Sequence, residues 1–497
     1  MPDVTAILHG FAVALEPARL GWCLVGVIVG TVVGVLPGLG PAATIALLLP
    51  VTYRLDPVSA IIMLAGIYYG SQYGGSTTSI LLRIPGESSS MVTSYDGYEM
   101  TKRGRAGPAL GMAAIASFVA GTAGIVGLML LAPVLGRFAI AFGPAEYFAL
   151  MVLWLTLVAW LGGGSLLTSL AMATLGLLLA TVGQDPVAAV ERYTFGFQAL
   201  LDGIDLVPVF MGLFGIAEVL RTMERPPERQ YLATPRDLLP NAQDFRDSAG
   251  PVARGTVLGF FLGVLPGGGA TLASIASYVT EKRFARNRHR MGQGAIEGVA
   301  GPEAANNAAA TGSFIPLLTL GIPANVVMAM MLAALTLHGV RPGPLLIVES
   351  PDLFWGTVAS MYVGNVILLI LNLPLIGIFI RVLRLPYPLL APLILLFCLV
   401  GAYSVTGRTA EAFTMIVFGV IGYLAGKIAF DPAPLVLALI LGRPMEEALR
   451  QALSLARGRF EVFVTRPISA GLLACAALAI LVPLAGALWR RFRPPAR

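Results

Sequence analysis

Residues 71–79 read Ser-Gln-Tyr-Gly-Gly-Ser-Thr-Thr-Ser, a dense run of hydroxyls and amides set between apolar Ile61–Tyr68 and Ile80–Leu82. A second polar string, Pro302-Glu303-Ala304-Ala305-Asn306-Asn307 followed by Thr311-Gly312-Ser313, also lies in apolar sequence. At membrane depth such groups hydrogen-bond a carboxylate or coordinate a cation. They also glue helices together, at about 0.6–2 kcal/mol per contact. The candidates for an anionic solute are Ser76, Thr77, Thr78, Asn306 and Asn307; those for a coupling cation are Gly74, Glu303, Thr311 and Gly312. Glu303 is the ionisable group to watch. At depth it needs a cation, a proton or a partner; alternatively it caps a helix starting near Ala304.

Two helix breakers accompany these strings. Residues 26–40 read GVIVGTVVGVLPGLG and residues 255–269 read GTVLGFFLGVLPGGG. Gly26, Gly30, Gly34, Pro37, Gly38 and Gly40 correspond to Gly255, Gly259, Gly263, Pro266, Gly267 and Gly269 at a constant spacing of 229 positions. Each copy is a glycine face repeating every fourth residue, then VLPG-x-G. Proline removes a backbone donor and glycine tolerates open conformations, so an apolar helix breaks there. A helix restarting beyond the break aims free N–H groups and a positive dipole end at the membrane midplane, which suits a carboxylate. The carbonyls of the helix that ends there suit Na⁺. Gly38, Gly40, Gly267, Gly268 and Gly269 therefore join the substrate candidates, and Pro37 and Pro266 the cation candidates. A packing kink is the competing reading.

The elements that must hold these residues are two repeats. Gly74, Ile84 and Pro85 correspond to Gly312, Ile322 and Pro323 at a spacing of 238, and Gly176 and Asp185-Pro186 to Gly422 and Asp431-Pro432 at 246. The repeats cover 20–222 and 251–445. A Pro- and Arg-rich cytoplasmic linker, 223–250, joins them. Residues 446–497 are a loop and a C-terminal transmembrane helix with a basic tail, and residues 1–19 carry an amphipathic segment that lies on the membrane surface. Lys and Arg mark cytoplasmic loops. In the first copy they follow the second marker (Lys102, Arg103, Arg105); in the second copy they precede it (Lys282, Arg283, Arg286, Arg288, Arg290). Equivalent loops fall on opposite sides, which predicts inverted topology, with a site near the midplane between repeats. The five arginines of 443–467 disagree with a cytoplasmic tail one span away. Arg83 and Glu87 read as markers of the membrane edge.

Composition sets the class. Of 497 residues, 57% are hydrophobic and 12% charged, with 57 Gly and 35 Pro, and the mean hydropathy is +0.81. A soluble domain carries about a quarter charged residues. The apolar runs 107–132, 146–182, 354–380, 387–403, 411–428 and 468–489 are continuous rather than alternating, which excludes a β-barrel. The fold class is an all-α membrane protein of about 12 transmembrane helices with broken or re-entrant segments. Cys23, Cys398 and Cys475 read as buried free thiols. The +6 charge lies in loops and sets orientation; no nucleic-acid partner is expected. The N-terminus has no signal-peptide pattern. No P-loop, HExxH, CxxC or GxSxG motif occurs, so neither ATP hydrolysis nor another enzyme activity is expected.

GVLPGLGPAAT, YYGSQYGGSTTSILLRIPGE and GPEAANNAAATGSFIPLLTLGIPAN together resemble the large membrane subunit of tripartite tricarboxylate transporters (TctA-type), over essentially the whole chain. The resemblance implies a small membrane subunit and a periplasmic solute-binding protein as partners, in a bacterial cytoplasmic membrane. It implies secondary transport of citrate and related carboxylates driven by Na⁺ or H⁺, with no cofactor beyond a coupling Na⁺. It also makes the two VLPG-x-G loops and the two polar strings the substrate and ion sites. A channel, or a secondary transporter of a non-carboxylate solute, is the alternative. On the transporter reading, a unit holding both broken motifs moves against a scaffold that includes 107–132 and 354–380.

Overall fold

The computed structural model describes residues 4–36, 40–161, 165–185, 188–224, 238–267, 269–382, 387–428 and 430–492. The chain forms α1 (Val4–Ala14), α2 (Pro17–Val35), α3 (Pro41–Thr52), α4 (Pro57–Leu82), α5 (Thr93–Lys102), α6 (Ala106–Ala139), α7 (Pro144–Leu161), α8 (Leu166–Ala180) and α9 (Leu206–Glu224). Then follow α10 (Ala242–Val264), α11 (Gly269–Phe284), α12 (Glu297–Gly312), α13 (Phe314–Leu320), α14 (Val326–Leu337), α15 (Pro351–Asn372) and α16 (Ile376–Val382). The last are α17 (Tyr387–Thr406), α18 (Thr409–Lys427), α19 (Ala433–Leu455) and α20 (Pro467–Phe492). Among the described residues the only strands are the paired Gly183–Gln184 and Glu191–Arg192.

Burial departs from that of a soluble protein, although much of the core is apolar. Large apolar side chains such as Leu130, Phe261, Phe413 and Val482 are exposed, while Ser76, Glu303, Asn306 and Asn365 are buried. Lipid is the solvent that makes this arrangement favourable. Among the described residues five helices are long and apolar enough to cross a membrane: α2, α6, α9, α15 and α18. Further apolar helices are shorter, 10–17 residues, in α1, α3, α7, α8, α14 and parts of α17 and α20. The chain is thus a multi-pass membrane protein, predominantly helical over its described residues. The run 354–380 is two helices rather than one, because α15 stops at Asn372 and Pro374 cannot continue the hydrogen-bond ladder.

Two compact units make up the chain: Met1–Arg137 with Leu206–Leu424, and Phe138–Asp205 with Ala425–Arg497. The second unit is held partly by ion pairs. Arg450 reaches Asp185 at 2.7 Å and Glu446 at 2.6 Å, Arg192 reaches Glu446 at 2.8 Å, and Arg466 reaches Glu146 at 2.7 Å. Residues 443–455, read from sequence as the start of a loop, continue α19; their Glu and Arg lie on a helix face that makes these pairs. Residues 242–250, assigned to the linker, already belong to α10. Asn241 and Asp244 form a capping box at its start, and Arg105 holds Asp244 at 2.6 Å. Cys23 and Cys398 are buried, but Cys475 is exposed, on the outer face of α20.

In the first unit the glycine faces explain the closest packing. A Cβ on Gly26, Gly30 or Gly34 of α2 would collide with the carbonyls of Met63, Ile67 and Ser71 on α4. A Cβ on Gly255, Gly259 or Gly263 of α10 would collide with those of Gly301, Ala305 and Ala309 on α12. The glycines differ by 229 positions and their partners by 238, the two spacings already present in the sequence. Each half therefore packs its broken helix on its polar helix in the same register. Backbones approach this closely only where side chains are absent.

Candidate functional site

The polar string 71–79 is the middle of α4, a single helix started by Asp56, whose carboxylate accepts the N–H groups of Val58 and Ser59 at 3.1 Å. Three of its hydroxyls have an acceptor on their own helix: Ser71 the Tyr68 carbonyl at 2.7 Å, Ser76 the Gln72 carbonyl at 3.1 Å and Thr78 the Gly75 carbonyl at 3.2 Å. Such back-bonding satisfies a hydroxyl inside apolar surroundings without a second helix. Other side chains reach across. Tyr73 donates to Asn365 of α15 at 2.6 Å, and Asn365 in turn donates to the Phe118 carbonyl and Thr122 of α6.

Ser76 carries the central contact. Its hydroxyl lies 2.5 Å from Oε2 of Glu303 on α12, while Thr93, at the start of α5, donates to Oε1 at 2.6 Å. Asn306 adds a third donor at 3.3 Å. Glu303 is fully buried. Among the described residues no Lys, Arg or His pairs with it. Asn307 donates to Ser117 of α6 at 2.7 Å and to the Glu303 carbonyl at 3.1 Å, and Thr311 back-bonds to the Asn307 carbonyl. Helices α4, α5, α6 and α12 thus meet at one carboxylate and its neighbouring amides.

Two small cavities flank this network, each about 10 Å³, room for about a single water-sized occupant. Tyr73, Ser76, Thr77, Ser117 and Asn372 contribute the polar lining of the first. Tyr69, Asn307, Thr311 and Asn365 contribute that of the second.

The broken motifs stand beside this cluster rather than in it. Pro37, Gly38 and Gly268 lie outside the described residues. Gly40 caps α3, and its carbonyl accepts from the Thr44 hydroxyl at 3.1 Å. Pro266 is buried. Gly267, at φ 83°, donates its N–H to the Ala324 carbonyl at 2.9 Å, so the second break is closed by the loop that follows α13. Gly269 starts α11 at φ 47° beside Asn325. Gly74 packs on the backbone of Thr31 and Gly34, and Gly312 on that of Phe260. Sequence reasoning did not select Thr93, Ser117, Asn365 or Asn372. Ser117, Asn365 and Asn372 are scattered polar residues in apolar helices and Thr93 opens a short polar one, so only tertiary contact sets them apart.

Glu87 follows the end of α4. It folds back against Gly75, in the middle of α4, where Ser89 donates to it and Ser90 donates to its carbonyl. Ser89 also reaches Gln72 at 2.9 Å, and neighbouring Ser88 meets Thr271 of α11 at 2.7 Å. The loop after α4 therefore joins the first polar helix to the second broken motif.

A buried acid also governs the approach to α12. Asp96 of α5 accepts the N–H groups of Gly292, Gly294 and Ala295 at 2.8 Å, and the Tyr278 hydroxyl at 2.9 Å. Three backbone donors converging on one carboxylate fix the turn that enters α12. Thr93 and Asp96 lie one helical turn apart, so α5 grips both the start and the middle of that helix.

Residues 20–437 match the tripartite tricarboxylate transporter TctA family. The chain belongs to the TctA family. An uncharacterized 52.8 kDa protein of the TAR-I ttuC' 3' region of Agrobacterium vitis is 51% identical over 485 residues, covering 97% of both chains. An uncharacterized protein of the TAR-II ttuC' 3' region of the same organism is 51% identical over 226 residues, covering 46% of this chain and 93% of that protein. No solved structure matches this TctA chain. The match spans both glycine faces, both polar helices and Glu303, so the site described above lies wholly within the TctA region.

Proposed function

We propose that this TctA protein is the permease subunit of a solute-binding-protein-dependent secondary transporter that imports citrate or a related carboxylate, driven by a Na⁺ or H⁺ gradient. It resides in a bacterial cytoplasmic membrane beside a small membrane subunit, and a periplasmic binding protein delivers the solute. Its two repeats have inverted topology and operate by alternating access. Membership of the TctA family supports the class of the assembly.

The observation that carries the coupling is Glu303. A carboxylate buried in a membrane protein is costly unless a cation or proton neutralises it. Three neutral donors orient this one; Ser76 on α4 and Thr93 on α5 sit on helices that a conformational change can separate from α12, while Asn306 shares α12 with it. Asn306, Asn307 and the N-terminal turns of α3 and α11 supply the neutral donors that a carboxylate solute requires. Long helices α6 and α15, expected to be scaffold, touch the polar helices directly through Ser117–Asn307 and Tyr73–Asn365. Movement between them breaks those two contacts.

The test is uptake of labelled carboxylates into proteoliposomes that contain this chain, its small partner and the cognate binding protein, with Na⁺ and H⁺ gradients imposed separately. Uptake that requires the binding protein and one gradient supports the reading and names the ion. No gradient-driven uptake of any carboxylate by a folded complex removes the substrate class.

A further inference from the structure

The cavity lined by Tyr73, Ser76, Thr77, Ser117 and Asn372 has the chemistry of a cation site. Asn372 is 3% exposed, and its Oδ1 has no hydrogen-bond partner, although its Nδ2 donates to the Leu368 carbonyl at 3.0 Å. A buried carbonyl oxygen without a donor costs roughly 1–3 kcal/mol. Something that accepts its lone pairs removes that cost. The Ser76 hydroxyl has one proton, with Glu303 at 2.5 Å and the Gln72 carbonyl at 3.1 Å as its acceptors, so its oxygen offers only lone pairs to its other neighbours. Tyr73 likewise spends its proton on Asn365. Helix α15 ends at Asn372, so the negative end of its dipole lies at the same place.

Charge and size narrow the occupant. Glu303, one hydrogen bond away through Ser76, is a buried acid that no cationic side chain pairs with among the described residues. No carboxylate lines the cavity itself, and no group of three His, Cys, Asp or Glu side chains suited to a metal occurs among the described residues. Divalent Ca²⁺ and Mg²⁺ favour direct carboxylate ligands. A space of about 10 Å³ admits one water-sized sphere.

We propose that this cavity binds one monovalent cation of Na⁺ size through the oxygens of Ser76, Thr77, Ser117 and Asn372, beside Glu303. Ser76 is the shared element: it holds the cation through its oxygen and Glu303 through its proton. Use of the site as the coupling site rests on the transport reading above; its existence does not.

The experiment is equilibrium binding of radiolabelled Na⁺ to the purified full-length chain, with K⁺ and choline as competitors. Ser117→Ala, Asn372→Leu and Asn372→Asp are compared after gel filtration shows that each is folded. The expected result is saturable binding that choline does not displace. Ser117→Ala and Asn372→Leu each weaken it by about tenfold, the loss of one oxygen ligand to a charge, while Asn372→Asp retains it. Absence of saturable binding, or binding that both deletions leave unchanged, overturns the site and makes the cavity an ordered-water position only. Binding to the chain alone is separable from transport. Proton-driven carboxylate uptake without Na⁺ binding overturns the site and leaves the transport reading standing. Na⁺ binding by a complex that imports no carboxylate supports the site and removes the substrate class of that reading.

Discussion

Ser76 of α4 and Glu303 of α12 lie 2.5 Å apart, hydroxyl to carboxylate, although 227 positions separate them in the chain. Each belongs to the polar helix of its own half, and each helix is clamped by its own glycine face. The contact is therefore where the two halves of the protein share one charge. Thr93 closes the other oxygen of the same carboxylate, so a single side chain ties α4, α5 and α12 together.

Replacing that charge separates coupling from folding. Glu303→Gln keeps the shape and removes a buried acid that no cationic side chain pairs with among the described residues, so stability is unchanged or rises by about 1–4 kcal/mol. Gradient-driven uptake falls by about two orders of magnitude, the loss of a group that must bind or release a cation. Thermal unfolding in detergent and proteoliposome uptake measure the two effects. Wild-type uptake by the variant would take Glu303 out of the coupling mechanism.

The glycine faces predict a graded stability series. Gly30→Ala and Gly259→Ala place a methyl against a facing carbonyl, and each destabilises by about 1–3 kcal/mol through overpacking. Gly21→Ala meets nothing within 4 Å and serves as the neutral comparison. Melting temperatures of the three variants read the series. Equal melting of all three would show that the α2–α4 and α10–α12 contacts relax freely.

Asp96 tests the role of the turn before α12. Asp96→Ala leaves the N–H groups of Gly292, Gly294 and Ala295 without their shared acceptor and costs about 3 kcal/mol or more. Asp96→Asn restores part of this, because its amide oxygen still accepts. Hydrogen exchange of residues 291–297 follows the effect locally, with faster exchange in Asp96→Ala than in Asp96→Asn. Unchanged protection in both variants would mean that other contacts hold the turn.

A cross-link addresses motion. Asn307 and Ser117 touch at 2.7 Å. The pair Ser117→Cys and Asn307→Cys, oxidised in a background lacking the native cysteines, is expected to abolish uptake, and a reductant to restore it. Full uptake while cross-linked would show that α6 and α12 travel together.

Much of this architecture is legible in the residues themselves. The two glycine faces, their VLPG-x-G ends and the markers 238 positions apart follow from residue identity, because only glycine permits the backbone approach that repeats between α2 and α4 and between α10 and α12. The Asn- and Ser/Thr-rich strings stand out because polar groups are scarce in apolar sequence. Other features do not show in this way. The turn after α4 folds Glu87 back onto Gly75, a contact that residue identity does not show. The α15 break at Asn372 is written in Pro374, yet the apolar run 354–380 masks it.

The sequence by itself determined the class of the protein: its helical membrane character, its internal repetition and the polar helices that hold its chemistry. Those properties depend on composition and on local spacing. Tertiary structure alone decided which polar residues share a site. Thr93, Ser117 and Asn372 are unremarked in their own segments. They become partners of the Glu303 network or of its adjoining cavity only because helix packing brings distant residues within hydrogen-bonding distance, and no local rule in the chain encodes that distance.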